Sequence, residues 1–401
     1  MEFAGVITEY DPFHNGHAAQ LAALRARGAT TIAVCMSAGL TQRGGVPLLP
    51  EPVRARAALL CGADLVVALP APYACAGAEA FAAAGVALLT ALGCDTLAFG
   101  AETPSAPRLL AAAGALQSGE LSAALRAGLA GGAPFAAARA AAAETLLPGA
   151  AALLRSPNDI LGIEYCKAIL AQQSPLVPLP LPRLGAGHDA PLPGRGADGR
   201  PVASAGYLRR LAAAAGNAGA GPEPLRPFVP PEAFELYCAA FARGEQSDPA
   251  AFSTALLALL RLADPAGFAR VRGLSEGLEN RLAAAVRQAG SAAALYDLLK
   301  TRRYSHARLR RLALDAALGV QAGSLPPLPP YLHLLGARRA ALPRLKAARL
   351  PAATSLRTLA DTGPAARAVA AAHARACDFS ALCRVAPQPC GLAYTQKPVL
   401  L

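Results

Sequence analysis

Short β-rich runs alternate with alanine-rich helical stretches through the first hundred residues, and this alternation leaves few folds open. Phe3 to Tyr10 reads as a strand, Gly16 to Arg27 as a helix, Thr31 to Ser37 as a strand and Glu51 to Cys61 as a helix. Leu65 to Leu69 (strand), Ala76 to Leu92 (helix) and Thr96 to Gly100 (strand) continue the pattern. Apolar runs of five to eight residues separated by helical segments are the βαβ rhythm of a parallel sheet covered by helices. The expected fold class is therefore α/β, a Rossmann-like domain with a parallel sheet. Residues 107 to 173 read as mostly helical, and Leu176 to Leu181 as a further edge strand, because its prolines exclude a central position. A Gly/Pro/Asp-rich loop spans Gly185 to Pro201, and a short helix follows from Ser204. Gly216 to Pro231 is a second composition shift, taken as a boundary between residues 1–220 and 221–401. The later part reads as helices joined by Pro-rich connectors, which predicts an α-helical C-terminal domain.

The strand Phe3 to Tyr10 runs through Asp11-Pro12-Phe13-His14-Asn15-Gly16-His17 directly into a helix. Free N–H groups in the first helical turn and the helix dipole together make an anion site there. Two histidines at that point can donate to phosphate oxygens, and Gly16 lets backbone approach closely. Donors already in place stabilise charge that builds on an α-phosphorus under attack. His14 and His17 are thus the candidate catalytic residues of an ATP-using transferase. No Walker A sequence competes for the nucleotide.

Charge is unevenly placed. Residues 1–102 hold five Arg and no Lys against eight Asp and Glu, a deficit of three, whereas the remaining residues carry a surplus of fifteen positive charges, which together give the net +12 of the chain. A polyanion such as RNA fits that later field, and arginine bias from high-GC codons is the alternative source. The basic run Lys300, Arg302, Arg303, Tyr304, Arg308, Arg310 and Arg311 is the best candidate RNA surface, with Tyr304 as a ring to stack on an unpaired base. Arg338, Arg339, Arg344, Lys346 and Arg349 form a second basic stretch, as consistent with a solvated helical face as with RNA contact.

Nine cysteines carry no C-x-x-C pair, and the closest group is Cys377, Cys383 and Cys390. No histidine stands at ligand spacing, so free buried thiols in a reducing compartment are expected, with no metal site and with His373 on the surface. Met-Glu-Phe-Ala-Gly has no basic segment ahead of an apolar one, and Pro70, Pro72 and Glu79 interrupt the apolar stretch from Leu65 to Cys94. The expected address is cytoplasmic, without a membrane span.

The run Glu9-Tyr10-Asp11-Pro12-Phe13-His14-Asn15-Gly16-His17 resembles the opening motif of the tRNA(Met) cytidine acetate ligase family, whose members usually carry Asn where this chain has Asp11. Gln42-Arg43-Gly44, Phe99-Gly100, Ser156-Pro157-Asn158-Asp159-Ile160-Leu161-Gly162, Pro182-Arg183-Leu184-Gly185, Glu276-Gly277-Leu278-Glu279-Asn280-Arg281, Lys300-Thr301-Arg302-Arg303-Tyr304-Ser305, Pro330-Tyr331 and Lys397-Pro398 match it in the same order. The resemblance implies activation of acetate by ATP, accompanied by Mg2+, to acetyl-adenylate and pyrophosphate. Transfer of the acetyl group to the wobble cytidine N4 amine of elongator tRNA(Met) follows, without acetyl-CoA and with no protein partner predicted. By the same resemblance ATP contacts Ile7, Thr8, Glu9, Tyr10, Asp11, Pro12, Phe13, His14, Asn15, Gly16, His17, Ala18, Ala19 and Gln20, together with Gly100, Asn158 and Arg183. Ser204-Ala205-Gly206-Tyr207-Leu208-Arg209 resembles a signature that sets a hydroxyl and an arginine on the triphosphate, here Ser204 and Arg209, with Gly206 replacing a second hydroxyl-bearing residue. Glu51 stands where relatives commonly have Lys. A small-molecule adenylyltransferase of the same superfamily, and a tRNA-binding protein with a decayed nucleotide site, are the other two readings.

Overall fold

A computed structural model of the chain describes residues 1–132, 135–183, 193–196, 199–217, 221–275, 277–302 and 304–401. Five parallel strands, β1 (Phe3–Thr8), β2 (Thr31–Ser37), β3 (Leu65–Leu69), β4 (Thr96–Ala101) and β5 (Val177–Pro182), build the expected sheet. Val-, Ile- and Leu-rich runs suit strands buried on both faces. Ile32, Val34 and Met36 pack on one side with Ala4 and Val6, while Ala33, Cys35, Leu65 and Val67 pack on the other with Phe3 and Ile7. In β5 the prolines fall at 178, 180 and 182, so Val177, Leu179 and Leu181 keep the N–H groups that face β4. The prolines lie on the open edge, where they block further pairing.

The all-helical expectation for the later part of the chain fails at three strands. After a two-stranded ribbon, β6 (Gly194–Arg195) with β7 (Pro201–Val202), the chain returns to the sheet as β8 (Leu332–Ala337), antiparallel to β3. β9 (Ala352–Ala353) and β10 (Val399–Leu400) each pair parallel with β8. The order across the sheet is β10-β8-β3-β2-β1-β4-β5. β8 gives no period-2 signal because five of its six residues are buried. At Gly336 an added β-carbon would lie 2.8 Å from the Val399 carbonyl oxygen, so only glycine admits β10 there.

Packing also crosses residue 220. Leu225, Ala233, Phe234 and Tyr237 share a core with Leu21, Leu24, Leu49 and Leu208. The helices Pro249–Leu262, Leu278–Gln288, Ala292–Leu299 and His306–Ala317 have a core of their own, built on Leu256, Leu282, Leu295, Leu309 and Leu312. Among the described residues no helix is long and apolar enough to cross a membrane.

Candidate active site

In this sheet order β2 lies on one side of β1 and β4 on the other. The crevice at the carboxyl ends of β1 and β4 is thus a topological switch point, where open α/β sheets bind ligands. A cleft of about 1140 Å³ opens there. Ile7, Thr8, Glu9, Tyr10, Asp11, His14, Gly16, His17, Ala19 and Gln20 line it, joined by Gly100, Asn158, Arg183 and Ser204. The remaining expected contacts are not part of its wall. Pro12 and Phe13 are buried, and the Phe13 carbonyl accepts from Tyr237 Oη at 2.8 Å. Asn15 donates to the carbonyls of Pro201 and Pro227, and Ala18 packs against the core below.

His14 is the N-cap of the Asn15–Ala26 helix. Its Nδ1 accepts the Gly16 N–H at 3.1 Å, while His17 Nδ1 accepts the His14 N–H at 3.3 Å. An Nδ1 that accepts is unprotonated, so each neutral ring carries its proton on Nε2 as a donor. The two rings stack with centroids 3.7 Å apart, and Tyr10 meets His17 edge-on at 4.8 Å. Tyr10 holds φ at +46°, a conformation a bulky residue seldom adopts, and its ring is fully buried. Such strain persists only where packing over-determines it, here directly before the histidine turn.

Burial, followed by the Arg183 and Arg209 guanidinium groups, pushes the His14 pKa down to about 3. Burial, then His14 and Arg183, holds His17 well below the usual imidazole range. Both rings are neutral donors at pH 7 in an electropositive site. A neutral buried histidine stabilises the fold fully above the unfolded imidazole value of about 6.5 and loses that contribution as pH falls toward the folded value. The thermal midpoint should therefore fall as pH drops from 6.5 to 4, and in His14→Gln, which cannot take the charge, that fall should be shallower. An equal slope in both proteins would contradict the assignment.

Glu102, which the sequence reading did not single out, organises the far wall. It accepts from Asn158 Nδ2 at 2.6 Å and from the Asp159 N–H at 3.1 Å, and lies 4.0 Å from Arg183 Nε. Asn158 thus spends one of its two amide N–H groups on Glu102 and keeps its carbonyl oxygen for a ligand. Ala78, Phe81, Phe99, Leu161 and Tyr165 supply an apolar side to the same cleft. Arg43, also unassigned from sequence, lines the same cleft. Arg209, expected on the triphosphate, commits its Nη1 to the Asp11 carbonyl at 2.6 Å and to Asp11 Oδ2 at 3.2 Å. Ser204 Oγ accepts the Tyr207 N–H at 3.2 Å, capping the Ala205–Asn217 helix at the cleft.

The basic run divides by orientation. Ser305 and Ala307, at the start of the His306–Ala317 helix, line the cleft mouth. Arg302 and Arg310 are exposed, and Arg308 is half-buried. Tyr304 does not offer its ring as expected. It is 8% exposed, its hydroxyl is 2.6 Å from Ser275 Oγ, and the Arg308 guanidinium covers the ring at 4.7 Å. Lys300 Nζ turns inward to the carbonyls of Thr301 and Tyr304, and Arg311 donates to the Gln42 carbonyl at 2.9 Å. Arg303 lies outside the described residues. In the second stretch Arg339, Arg344, Lys346 and Arg349 are exposed, while Arg338 donates to the Leu59 and Ala63 carbonyls.

A family model described as HIGH nucleotidyl transferase matches residues 1–384. The tRNA(Met) cytidine acetate ligase of Syntrophotalea carbinolica is 36% identical over 375 residues, covering 89% of this chain and 85% of that protein. The Bacillus subtilis protein of the same name is 32% identical over 349 residues, with 84% and 82% covered.

The chain belongs to the tRNA(Met) cytidine acetate ligase family.

Among solved structures, Thermotoga maritima TmcAL in its apo form matches with a TM-score of 0.90 at 27% identity, covering all of both chains. The same protein bound with alpha-thio ATP matches at 0.87 and 26% identity, again over all of both chains.

Set within the tRNA(Met) cytidine acetate ligase family, the departure at Glu51 falls outside the cleft. Glu51 borders a second cavity of about 320 Å³, together with Cys377 and His373. His373 is 1% exposed, so its expected surface position is corrected, and the three residues have ligand-type atoms within 4.8 Å of one another. They lie in one contiguous polar cluster, with Cys377 Sγ 3.8 Å from His373 Nδ1 as well as close to Nε2. The Ala71 N–H donates to His373 Nδ1 at 3.3 Å, His373 Nε2 is 3.6 Å from Cys377 Sγ, and that thiol donates to Glu51 Oε1 at 3.3 Å. Burial and the Glu51 carboxylate hold the Cys377 thiol well above its ordinary pKa, which keeps its proton available for that bond.

Proposed function

We propose that the chain activates acetate with ATP and acetylates the N4 amine of the wobble cytidine of elongator tRNA(Met) in the cytoplasm. The observation that carries this reading is the stacked His14–His17 pair, whose Nδ1 atoms both accept backbone N–H groups and so aim two Nε2–H donors from a helix N-terminus at the switch-point cleft. An acetate oxygen attacks the α-phosphorus, the bond to the bridging β-phosphate oxygen breaks, and pyrophosphate leaves. The two Nε2–H groups meet charge growing on the α-phosphate oxygens. Arg183 extends the positive wall, and the Asn158 carbonyl orients the nucleotide. The cytidine amine then attacks the acetyl carbon, AMP leaves, and the amine proton passes to water. Alignment on a reactive adenylate accounts for the transfer without an assigned base. Glu9, whose Oε1 accepts the Gln42 N–H, is the carboxylate on the cleft wall that would face a magnesium ion bound with ATP, which would supply charge neutralisation to the phosphates.

Residues 249–320 form the RNA-facing unit in this reading, and Arg302, Arg308 and Arg310 neutralise phosphates beside the cleft mouth. Arg310→Ala should weaken tRNA binding and reduce the slope of log K against log salt by about 1. Tyr304→Phe should leave tRNA affinity unchanged, because the ring is not available to a base. Fluorescence anisotropy with labelled tRNA across a salt series tests both. A Tyr304→Phe loss as large as that of Arg310→Ala would contradict this orientation of the surface.

A further inference from the structure

We infer that Arg43, assisted by Arg210, holds the pyrophosphate leaving group, and that these two arginines supply positive charge that Asp11 withdraws from Arg209. This rests on the adenylate-forming reading above. Arg43 stands on a turn fixed from several sides. The Thr41 N–H donates to the Gly45 carbonyl at 2.9 Å, the Gln42 N–H donates to Glu9 Oε1 at 2.7 Å, and Arg311 donates to the Gln42 carbonyl at 2.9 Å. Gly44 closes the turn at φ +79°, where a β-carbon would lie 2.6 Å from Arg310 Cβ and 2.8 Å from Arg311 N. The backbone is thus held rigidly, yet the Arg43 guanidinium makes no hydrogen bond or ion pair among the described residues, and neither does that of Arg210.

A β-carbon built at Gly206 would be 3.7 Å from Arg210 Nη1, 3.8 Å from Arg209 Nη2 and 3.9 Å from Arg43 Nη1. Three guanidinium groups therefore converge on one point in the first turn of the Ala205–Asn217 helix. Asp11 is the carboxylate paired with one of them, Arg209. Two positive charges remain uncompensated, and guanidinium forks match phosphate oxygens. The convergence point is tied to the histidine turn through Arg209, whose Nη1 donates to the Asp11 carbonyl at 2.6 Å, and the strand leading to it lies by that turn, since a β-carbon at Gly16 would lie 3.3 Å from Val202 Cγ1. With the α-phosphorus at the histidine pair, the β- and γ-phosphates extend past Val202 and Ser204 to the arginines. As the bond between the α-phosphorus and the bridging oxygen breaks, its electron pair goes to pyrophosphate, and Arg43 and Arg210 stabilise that charge. The missing side chain at Gly206 leaves room for a phosphate oxygen at the same point.

Titration of inorganic pyrophosphate and, separately, AMP into the full chain tests this. Arg43→Ala should weaken pyrophosphate binding roughly ten- to a hundred-fold, the range of a lost charge-assisted hydrogen bond, and leave AMP affinity unchanged. Acetate-dependent exchange of pyrophosphate into ATP, run without tRNA, should fall about 10²-fold, with partial recovery in Arg43→Lys. In an Asp11→Asn background, which releases Arg209, the same substitution should cost less. Unchanged pyrophosphate affinity in Arg43→Ala, or equal weakening of AMP, overturns the inference. A loss confined to the tRNA-dependent step also overturns it and assigns Arg43 to an RNA phosphate. Absence of exchange in the parent protein would count against the adenylate reading, while the pyrophosphate titration would still decide the role of Arg43.

Discussion

Replacing His17 by asparagine should lower acetate-dependent adenylate formation about 10²–10³-fold, the usual cost of removing a preorganised donor from a developing oxyanion, while the protein stays folded. An asparagine oxygen stands near the place of Nδ1, so it can still accept the His14 N–H that His17 accepts at 3.3 Å. It has no group at the Nε2 position to reach the phosphate. His17→Ala should lose the same donor and, in addition, about 1 kcal/mol of helix-capping stability. The pair of variants thus separates catalysis from capping, with pyrophosphate exchange read beside the thermal midpoint. Full exchange activity in His17→Asn would remove the donor role.

The second large effect is on the fold beneath the site. Arg54 is 0% exposed and ties three carbonyls together. Nε donates to Leu49 at 3.0 Å, and Nη1 donates to Glu9 at 2.6 Å and to Ser37 at 2.8 Å. The ends of β1 and β2 and the segment before the Glu51–Leu60 helix therefore meet on one guanidinium. Burial draws its pKa down, and Glu51, Asp11 and Glu9 oppose that shift. Arg54→Met keeps much of the volume but leaves three buried acceptors without a donor, so unfolding should cost roughly 3–5 kcal/mol less. Urea unfolding should show a markedly lower midpoint with an unchanged slope, and ATP affinity should fall because Glu9 loses its anchor. A midpoint equal to that of the parent would show that these bonds contribute little net stability.

The parallel strands were legible because burial on both faces writes them as uninterrupted apolar runs, and Leu65–Leu69 was placed to the residue. The histidine turn was legible because a strand, a glycine-containing turn and a helix start are adjacent in sequence. β8 was not, since Leu332–Ala337 follows a Pro-rich connector and becomes a strand only by pairing with β3, more than two hundred residues earlier. Tyr304 sits in a basic run, and nothing local reveals that Ser275 takes its hydroxyl. Arg209 was expected on phosphate because the sequence cannot show that Asp11 reaches it across 198 residues. Arg43 carries no motif signal beyond the resemblance and Glu102 none at all, and only the chain's folding brings Arg43 to the cleft and Glu102 against Asn158 and Arg183. His373 and Cys377 lie four apart on one helix, a spacing that the expectation of no ligand-spaced histidine overlooks, and their burial against Ala71 and Glu51 is tertiary.

The most direct test is incubation of the purified full chain with ATP, labelled acetate and unmodified elongator tRNA(Met), with no acetyl-CoA present, followed by nucleoside analysis. The account predicts label in N4-acetylcytidine at the wobble position, one AMP and one pyrophosphate per acetyl group transferred, and loss of the product with His17→Asn. Tight ATP binding with no label in the tRNA, or label that persists in His17→Asn, would contradict it.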